Sequence, residues 1–304
     1  MAYDKVVDST VLNAGLTQIA SAIRAKTGTG GTLTFPSGFV SAIEGLSGGG
    51  ATEPYIEETY DQNGNLIDAV MHGYTQIRSN AFAYCGGLVS VSGISAVTSI
   101  GYSAFQNCSN LALTSLPAGI TSIGYSAFSN CNNLALTSLP AGITSIGYSA
   151  FQNCNNLALT SLPAGITSIG NNAFDSCVQL ALTSMPSGIS SIGNNTFYYC
   201  SNLALTSLPA GITSIGISAF RDCSNLALTS LPAGITSIGN YAFQDCTGLT
   251  TITFEGTPKS ISSYAFSGCT NLTTINVPWA EGAVENAPWG ATNATINYNY
   301  TPEG

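Results

Sequence analysis

Apolar and small polar residues alternate along most of this chain in one repeating pattern. Every 23 residues the sequence returns to a phenylalanine, which follows alanine or, once, threonine and precedes a cysteine by three positions. No residue is inserted or deleted between the units. A fixed period of this length predicts a stack of similar coils, because one coil buries its apolar face only against its neighbours. The nine phenylalanines are Phe82, Phe105, Phe128, Phe151, Phe174, Phe197, Phe220, Phe243 and Phe266.

Residues 131–154 show how one coil is expected to fold. Leu134 and Leu136 are two positions apart, as on one face of a strand. Ile143 and Ile146 indicate a second short extended segment. The remaining stretch, which ends at Cys154, is too short for a long helix and predicts one helical or 3₁₀ turn. We therefore expect a repeat solenoid of nine 23-residue leucine-rich units, mostly β with short helical turns.

The unit resembles that of the BspA-like, or treponemal-type, leucine-rich repeat family, which reads Cys-x-x-Leu-x-x-Ile-x-Ile-Pro-x-x-Val-x-x-Ile-Gly-x-x-Ala-Phe. The likeness covers residues 73–278 and implies a leucine-rich-repeat solenoid there. Six central units shift the apolar positions, as at Leu111, Leu113 and Leu116, which predicts an altered strand register. Two units keep the family spacing: Leu249, Ile252 and Phe254, then Leu272, Ile275 and Val277.

All nine cysteines occupy one position of the repeat. A small apolar side chain at the same place in each coil predicts a buried structural ladder. An odd number of cysteines and a reducing compartment argue against disulfides. A structural metal site typically shows Cys-x-x-Cys spacing, which is absent from the sequence. The ladder consists of Cys85, Cys108, Cys131, Cys154, Cys177, Cys200, Cys223, Cys246 and Cys269.

Residues 1–50 differ from the repeats and predict a small helical module. Apolar residues at helical spacing from Val11 to Ile23 predict a helix over residues 8–26. Residues 35–46 predict a turn and a second short helix, and a Gly-rich linker follows. Because about 46 residues hold little core, we expect the module to form a homo-oligomer or to dock on another protein. The alternative is a small helical hairpin tethered to the rod.

The segments on either side of the repeats are expected to cap the end coils. Asn63-Gly64 lies between two extended segments and predicts a β-hairpin. Trp279, Trp289 and the strand-like run 294–300 predict a C-terminal cap. The expected domains are a helical module at 1–50, a hairpin cap at 51–72, the solenoid at 73–278 and a C-terminal cap at 279–304.

The N-terminal module also resembles a segment at the start of phage and prophage structural proteins of gut Gram-positive bacteria. The likeness rests on Asp4–Thr10, Ile19–Lys26 and Phe35–Ile43. The run 276–291 is similar to endings of such proteins. These resemblances imply a tail-fibre-like protein on the surface of a virus particle, made in the bacterial cytoplasm.

Charge and composition exclude several classes of protein. The chain has 15 acidic and 6 basic residues and a net charge of −9, which argues against a nucleic-acid partner. We expect no secretory signal and no membrane insertion. The chain has a single histidine, His72, and neither a phosphate-binding loop nor a nucleophile elbow, so we expect no enzyme and no cofactor or metal. The carboxylates near Glu57 and Asp61 are interpreted as exposed turn charges.

Positions that vary between near-identical units indicate the exposed surface, because framework positions cannot change without loss of core packing. They come directly after the glycine that recurs every 23 residues, as at Gly147, or lie between the phenylalanine and the cysteine. Their Tyr, Asn and Ser residues are adaptable residues of binding surfaces. The sharpest hypothesis is a patch centred on Tyr198, Tyr199 and Arg221, and the alternative is soluble filler. The candidate ligand-binding residues are Tyr102, Tyr125, Tyr148, Tyr198, Tyr199, Arg221, Asp222 and Tyr241.

A separate column of amides is expected to be structural, with hydrogen bonds to the backbone of adjacent coils: Asn110, Asn133, Asn156, Gln179, Asn202, Asn225 and, later, Asn271.

The preferred functional hypothesis is a non-enzymatic receptor-binding protein of a phage or prophage particle. Residues 1–50 would attach it to other particle proteins, and the solenoid would bind a host cell-surface protein or glycan. The alternative is a bacterial cell-surface or interaction scaffold. A third class, an enzyme, would need an activity that depends on His72 or the hairpin carboxylates.

Overall fold

The computed structural model describes residues 54–301, and the helices expected over 8–26 and 35–46 lie outside that range. Short strands and turns form the described part, which contains no helix. The strands are β1 (Tyr55–Tyr60), β2 (Leu66–His72), β3 (Gln76–Ile77), β4 (Ser90–Ser92), β5 (Ser99–Ile100), β6 (Ser122–Ile123), β7 (Ser145–Ile146), β8 (Ser168–Ile169), β9 (Ser191–Ile192), β10 (Ser214–Ile215), β11 (Ser230–Leu231), β12 (Ser237–Ile238), β13 (Thr251–Phe254), β14 (Ser260–Ile261), β15 (Thr274–Asn276) and β16 (Thr295–Asn297).

Strands at equivalent positions of successive coils pair in parallel and build a solenoid, as the repeat predicts. One sheet has the order β3-β5-β6-β7-β8, and a second has the order β14-β12-β10-β9. A third sheet contains β11, β13, β15 and β16. In the fourth, β1 pairs antiparallel with β2, and β2 pairs in parallel with β4. The register matches the 23-residue period, as in Ser122↔Ser145.

The first two sheets come from the segment Ile-Thr-Ser-Ile. In one coil Ile143 and Ile146 are buried, Thr144 is exposed and Ser145 is half-buried. Both isoleucines therefore face the core, and the hydroxyl residues between them face outward. The expected second extended segment is present as a two-residue strand in each coil.

The expected first strand at Leu134 and Leu136 is wrong for the central units. Both leucines are buried, but the segment lies outside any strand. It makes one backbone bond to each neighbouring coil, from the Ala135 N–H to the carbonyl of Leu113 and from the Ala158 N–H to the carbonyl of Leu136, both at 3.1 Å. Regular strands form here only at β4, β11, β13 and β15, of which β13 and β15 belong to the units that keep the family spacing. The shifted apolar spacing is incompatible with the alternation that a longer strand requires.

The expected helical or 3₁₀ turn is also wrong, because two residues of the segment, four positions apart, adopt left-handed backbone angles. Ser103 has φ of 49° and Asn107 of 62°, and each occupies the third position of a β-turn. Their N–H groups donate to the next coil, to the carbonyls of Tyr125 and Ser129, both at 2.8 Å. The intervening N–H groups close turns within the coil, as from Gln106 to Ser103 at 3.1 Å. The segment is therefore a chain of β-turns bonded to its neighbour.

A stack of phenylalanine rings forms the centre of the core. All nine rings are buried, and successive centroids are 5.0–5.6 Å apart. Stacked aromatic pairs add roughly 0.5–1.5 kcal/mol each beyond the area that they bury. The repeat is thus stabilised mainly by contacts between coils.

Both ends of the described rod carry non-repeat structure. The β1–β2 hairpin turns at residues 61–65, where Gly64 has φ of 82°. At the other end Trp289 is fully buried, and its ring centroid is 6.3 Å from that of Trp279. The strand β16 then covers β15.

Candidate functional site

The first varying position after the glycine carries an exposed stack of tyrosines in three successive coils. We call Tyr102, Tyr125 and Tyr148 the tyrosine ladder. Their ring centroids are 5.1 and 4.8 Å apart, and the rings are nearly parallel. Neighbouring rings therefore cover both faces of Tyr125. Since a sugar stacks on a free aromatic face, the ladder offers mainly ring edges and hydroxyls to a ligand.

The same position holds asparagine in later coils, and these asparagines bond to the backbone. Asn171 Oδ1 accepts from the N–H of Asn194 at 3.0 Å, and Asn194 Oδ1 accepts from the N–H of Ile217 at 2.8 Å. Ile217 is exposed. Only part of this column is therefore available as a candidate binding surface, because Asn171 and Asn194 join coils.

The next varying position is more buried than expected. Ser103, Ser126 and Ser149 are buried, and all have positive φ. The prediction that the varying columns are exposed is therefore wrong for this column in the early coils. Tyr241 occupies the same position with φ of 58°, half-buried.

Four aromatic residues and one arginine converge in the later coils, and we call them the aromatic–arginine patch: Tyr198, Tyr199, Arg221, Tyr241 and Tyr264. The guanidinium carbon of Arg221 lies 5.6 Å from the ring centroid of Tyr198 and 5.8 Å from that of Tyr241. Tyr241 stacks on Tyr264 at 5.6 Å, and Tyr198 lies 6.2 Å from Tyr199. Cation–π contacts of this kind hold a long side chain in one position. The structure thus brings together four of the eight predicted binding residues.

Tyr264 was not among the predicted residues, although it is 53% exposed. It stands two positions before Phe266, as Tyr241 stands two before Phe243. That shared offset is the signal in the sequence that identifies it.

Two carboxylates border the patch. Asp222 Oδ2 lies 3.3 Å from Arg221 Nε. Burial, and then the charge of Asp245, raise the pKa of Asp222 above the ordinary carboxyl value, while Arg221 opposes the shift. The positive charge of Arg221 is therefore balanced by Asp222, and Asp245 adds a second negative charge nearby.

The cysteine column is nearly continuous in the core. Eight of the nine side chains are buried, Cys85 in the first coil is half-buried, and all nine are free thiols. Each thiol from Cys108 onward donates to the phenylalanine carbonyl 26 residues earlier, as from Cys131 Sγ to Phe105 O at 3.0 Å. Burial raises the pKa of Cys108 to about 12. Because the thiolate is the reactive form, these thiols are expected to react slowly.

The amide column from Asn110 to Asn271 makes fewer side-chain hydrogen bonds to adjacent coils than predicted. Asn202 Nδ2 donates to Gln179 Oε1 at 3.2 Å, and Asn271 donates to the Thr247 carbonyl at 2.8 Å. A neighbouring column carries a longer ladder, in which Asn130 donates to Asn107 at 2.8 Å and Asn153 to Asn130 at 2.7 Å.

The candidates for catalysis have structural surroundings. His72 stacks on Tyr55 at 4.4 Å and lies 3.6 Å from Glu57. Asp61 Oδ1 accepts from the N–H groups of Asn63 and Asn65, both at 2.8 Å, and these bonds order the hairpin turn. Within residues 54–301 no group of three or more metal-ligating side chains occurs. The same range contains no helix that is long and apolar enough to cross a membrane.

A shallow groove lies where the unit spacing first changes. It has a volume of about 390 Å³, and Ile94, Leu113 and Leu116 contribute its half-buried apolar lining.

Coils of 23 residues with leucine and isoleucine columns define a leucine-rich-repeat solenoid. The model of the BspA type leucine-rich repeat region matches residues 75–204 and 190–286 in six copies. The chain therefore belongs to that family, as the motif predicts. A search of curated protein sequences gave no significant match.

Solved structures of leucine-rich repeat proteins are similar to this chain. One is from Bacteroides ovatus, with 21% identity, a TM-score of 0.53 and coverage of 82% of this chain and 76% of that one. A second is the T. pallidum leucine-rich repeat protein, with 28% identity, a TM-score of 0.44 and coverage of 57% and 88%. A third is a leucine-rich cell surface protein from Faecalibacterium prausnitzii, with 28% identity, a TM-score of 0.41 and coverage of 67% and 70%. The first of these supports the fold.

Proposed function

We propose that this chain is a non-enzymatic binding protein, a bacterial cell-surface or interaction scaffold, that docks a protein partner through the aromatic–arginine patch. The observation that carries the proposal is that most of the few charges of the rod lie at the same place as its clustered aromatic rings. Between residues 86 and 245 the only charged residues are Asp175, Arg221, Asp222 and Asp245. Three of these four, Arg221, Asp222 and Asp245, lie in the patch or border it, and Asp175 is the one other charge in this range.

The backbone at Tyr199 supports a functional role for its side chain. Tyr199 has φ of 56° and is 49% exposed. Its column adopts the left-handed conformation in every coil, and the other coils fill it with Asn, Ser, Asp or Gly, except the first, where Tyr84 has φ of 65°. A bulky residue in this conformation is strained, and such strain is concentrated at functional sites.

The composition of the patch favours a protein partner over a glycan. Tyrosine and arginine dominate the energetics of protein interfaces when they sit in well-packed clusters. Arg221 is held between two rings and beside Asp222, so little conformational entropy remains to be lost on binding. Sugar stacking needs free ring faces, and Tyr241 and Tyr264 cover one face of each other.

The second candidate is a receptor-binding protein of a phage or prophage particle, which would attach through residues 1–50. The resemblance of Asp4–Thr10 and Phe35–Ile43 to phage structural proteins favours it. The aromatic–arginine patch would then contact the host cell. Co-sedimentation of the chain with purified particles distinguishes this candidate from a cellular scaffold.

Binding of the labelled full chain to intact bacterial cells tests the role of the patch. The variant Tyr199→Ser with Arg221→Ala removes two central groups. The matched control replaces Tyr102 and Tyr125 with serine. We expect a loss of affinity of about tenfold or more for the patch variant, because central interface residues contribute about 2 kcal/mol or more each. Equal loss in both variants would refute the role of the patch.

A further inference from the structure

The strand ladder along the Ile-Thr-Ser-Ile face is interrupted once within residues 54–301. β8 (Ser168–Ile169) ends one sheet, and β9 (Ser191–Ile192) begins the next. Ile169 is half-buried, whereas the equivalent Ile146 and Ile192 are buried. We call the β8–β9 junction the seam.

Backbone hydrogen bonds that join every neighbouring pair of these strands are missing at the seam. One coil earlier, the N–H of Gly170 donates to the carbonyl of Ile146 at 3.0 Å. One coil later the same bond has a length of 2.9 Å. Among the described residues, the equivalent bond from Gly193 to Ile169 does not form, and β8 makes no ladder pair with β9.

The side chain of Asn171 occupies the space between the two coils, and its Oδ1 accepts the N–H of Asn194 across the seam at 3.0 Å in place of the glycine bond. A Cβ placed on Gly193 would lie 2.2 Å from Asn171 Oδ1. At the intact junction one coil before β8, a Cβ on Gly147 would instead meet the backbone of Gly124 at 2.7 Å. At the next junction an amide lies in the same place, 2.6 Å from a Cβ on Gly216, but the backbone of Gly193 stays within 2.7 Å. Within the described coils, only at the seam are the three nearest atoms all side-chain atoms, of Asn171 and Thr196.

The same junction carries a polar substitution in the core. Thr196 stands where the other eight units have alanine. It is fully buried, and its hydroxyl has no hydrogen-bond partner. A buried polar atom without a partner destabilises the folded state, because its bonds to water are lost and none replaces them. The seam is thus weakened in its backbone bonds and in its core.

The other faces of the coils remain joined at the seam. The N–H of Phe174 donates to the carbonyl of Thr196 at 3.0 Å, and the rings of Phe174 and Phe197 stack at 5.6 Å. The opening is therefore confined to one face, and the phenylalanine stack can act as a pivot.

We infer that the rod consists of two blocks that meet at the seam and that this junction is a hinge. The stability of a solenoid is the sum of its coils and their interfaces, so separation begins at the weakest interface. The tyrosine ladder belongs to the first block and the aromatic–arginine patch to the second. Opening of the hinge changes the orientation of these two surfaces relative to each other.

Hydrogen exchange of single amides in the full chain tests the seam. We expect the Gly193 amide to exchange about tenfold or more faster than those of Gly170 and Gly216, because unbonded amides open without disrupting structure. Equal protection at the three glycines would overturn the inference.

Two variants test whether the named residues cause the seam. Asn171→Tyr with Thr196→Ala restores the residues of earlier coils, and it is expected to slow exchange at Gly193 to the rate at Gly170. The matched variant, Tyr148→Asn with Ala173→Thr, transfers the seam residues one coil back. It is expected to speed exchange at Gly170. If the first variant leaves the exchange rate at Gly193 unchanged and the second leaves that at Gly170 unchanged, the assignment to Asn171 and Thr196 is wrong.

The buried cysteines report whether the blocks separate. In increasing urea, Cys108, Cys131 and Cys154 of the first block should become reactive at a different concentration from Cys200, Cys223 and Cys246 of the second. The seam-closing variant should bring the two midpoints together. Coincident exposure of all six thiols in the unmodified chain would contradict a two-block rod.

Discussion

The thiol of Cys154 donates a hydrogen bond to the backbone carbonyl of Phe128 in the preceding coil, with Sγ 3.0 Å from the oxygen. The same carbonyl accepts the N–H of Cys131 at 3.0 Å, so one oxygen joins two coils. Equivalent bonds recur in successive coils and connect the cysteine column to the phenylalanine column. The thiols are therefore structural donors.

Thiol reagents are expected to modify at most Cys85 rapidly in the folded chain. The other eight thiols are buried, and burial raises the pKa of each, so little reactive thiolate is present at neutral pH. Mass spectrometry after a short pulse of reagent measures the number modified, with the urea-unfolded chain as control. Rapid modification of most of the nine without denaturant would show that the column is accessible.

Stability is expected to fall steeply above pH 9. The folded-state pKa of each buried thiol lies above the ordinary value of 9.0, so the unfolded chain loses protons first as the pH rises. The stability is fully present below pH 9 and is lost above it, at about 1.4 kcal/mol per pH unit for each thiol. Urea unfolding between pH 7 and pH 10.5 measures this slope. Cys154→Ala with Cys200→Ala should reduce it, and a flat profile would contradict the buried column.

Tyr199→Asn is expected to stabilise the fold and weaken partner binding. Asparagine tolerates the left-handed φ of 56° that Tyr199 adopts, so the free energy of unfolding should rise by about 0.5–1 kcal/mol. Urea midpoints measure the change. Tyr198→Asn is the matched control, because Tyr198 is not among the residues with positive φ and its ring contacts Arg221. A stability gain in the control but not at Tyr199 would reverse the interpretation.

Gly147→Ala is expected to destabilise the solenoid, by about 1–3 kcal/mol. Its Cβ would lie 2.7 Å from the carbonyl carbon of Gly124 and 2.7 Å from the backbone nitrogen of Tyr125. Both are backbone atoms that cannot move aside. Gly165→Ala is the control, since the nearest atom there is 3.7 Å away. Equal thermal midpoints for the two variants would mean that the coils are not in such close contact.

The period of 23 residues was sufficient to predict the solenoid, because insertion-free spacing of Phe and Cys leaves each coil one way to bury its apolar columns. It also located Ser145–Ile146 as an extended segment. The turns were mispredicted because Ser and Asn at Ser103 and Asn107 are common in many conformations. Only the hydrogen bonds to the next coil, which no single unit contains, select the left-handed one.

The residues of the candidate binding surface could be predicted only in part. Variation between units identified Tyr199 and Arg221, but the same variation marked Asn171, whose amide bonds to the next coil. Variation reports tolerance of a position and does not separate contact with solvent from contact with a neighbour. Tyr264 is harder to identify because Ser262 stands where the central units have the glycine that marks the varying positions.

The central claim is that the aromatic–arginine patch contacts a protein partner. A photo-crosslinking p-benzoylphenylalanine at position 199, in the full chain and in cells that naturally produce it, tests this most directly. Tyr125 of the tyrosine ladder provides the matched position, because it is also exposed and aromatic. The account predicts a discrete crosslinked protein from position 199 that is absent from position 125 and is lost when Arg221 is replaced by alanine. Crosslinks of equal yield and identity from both positions, unaffected by the Arg221 substitution, would contradict it.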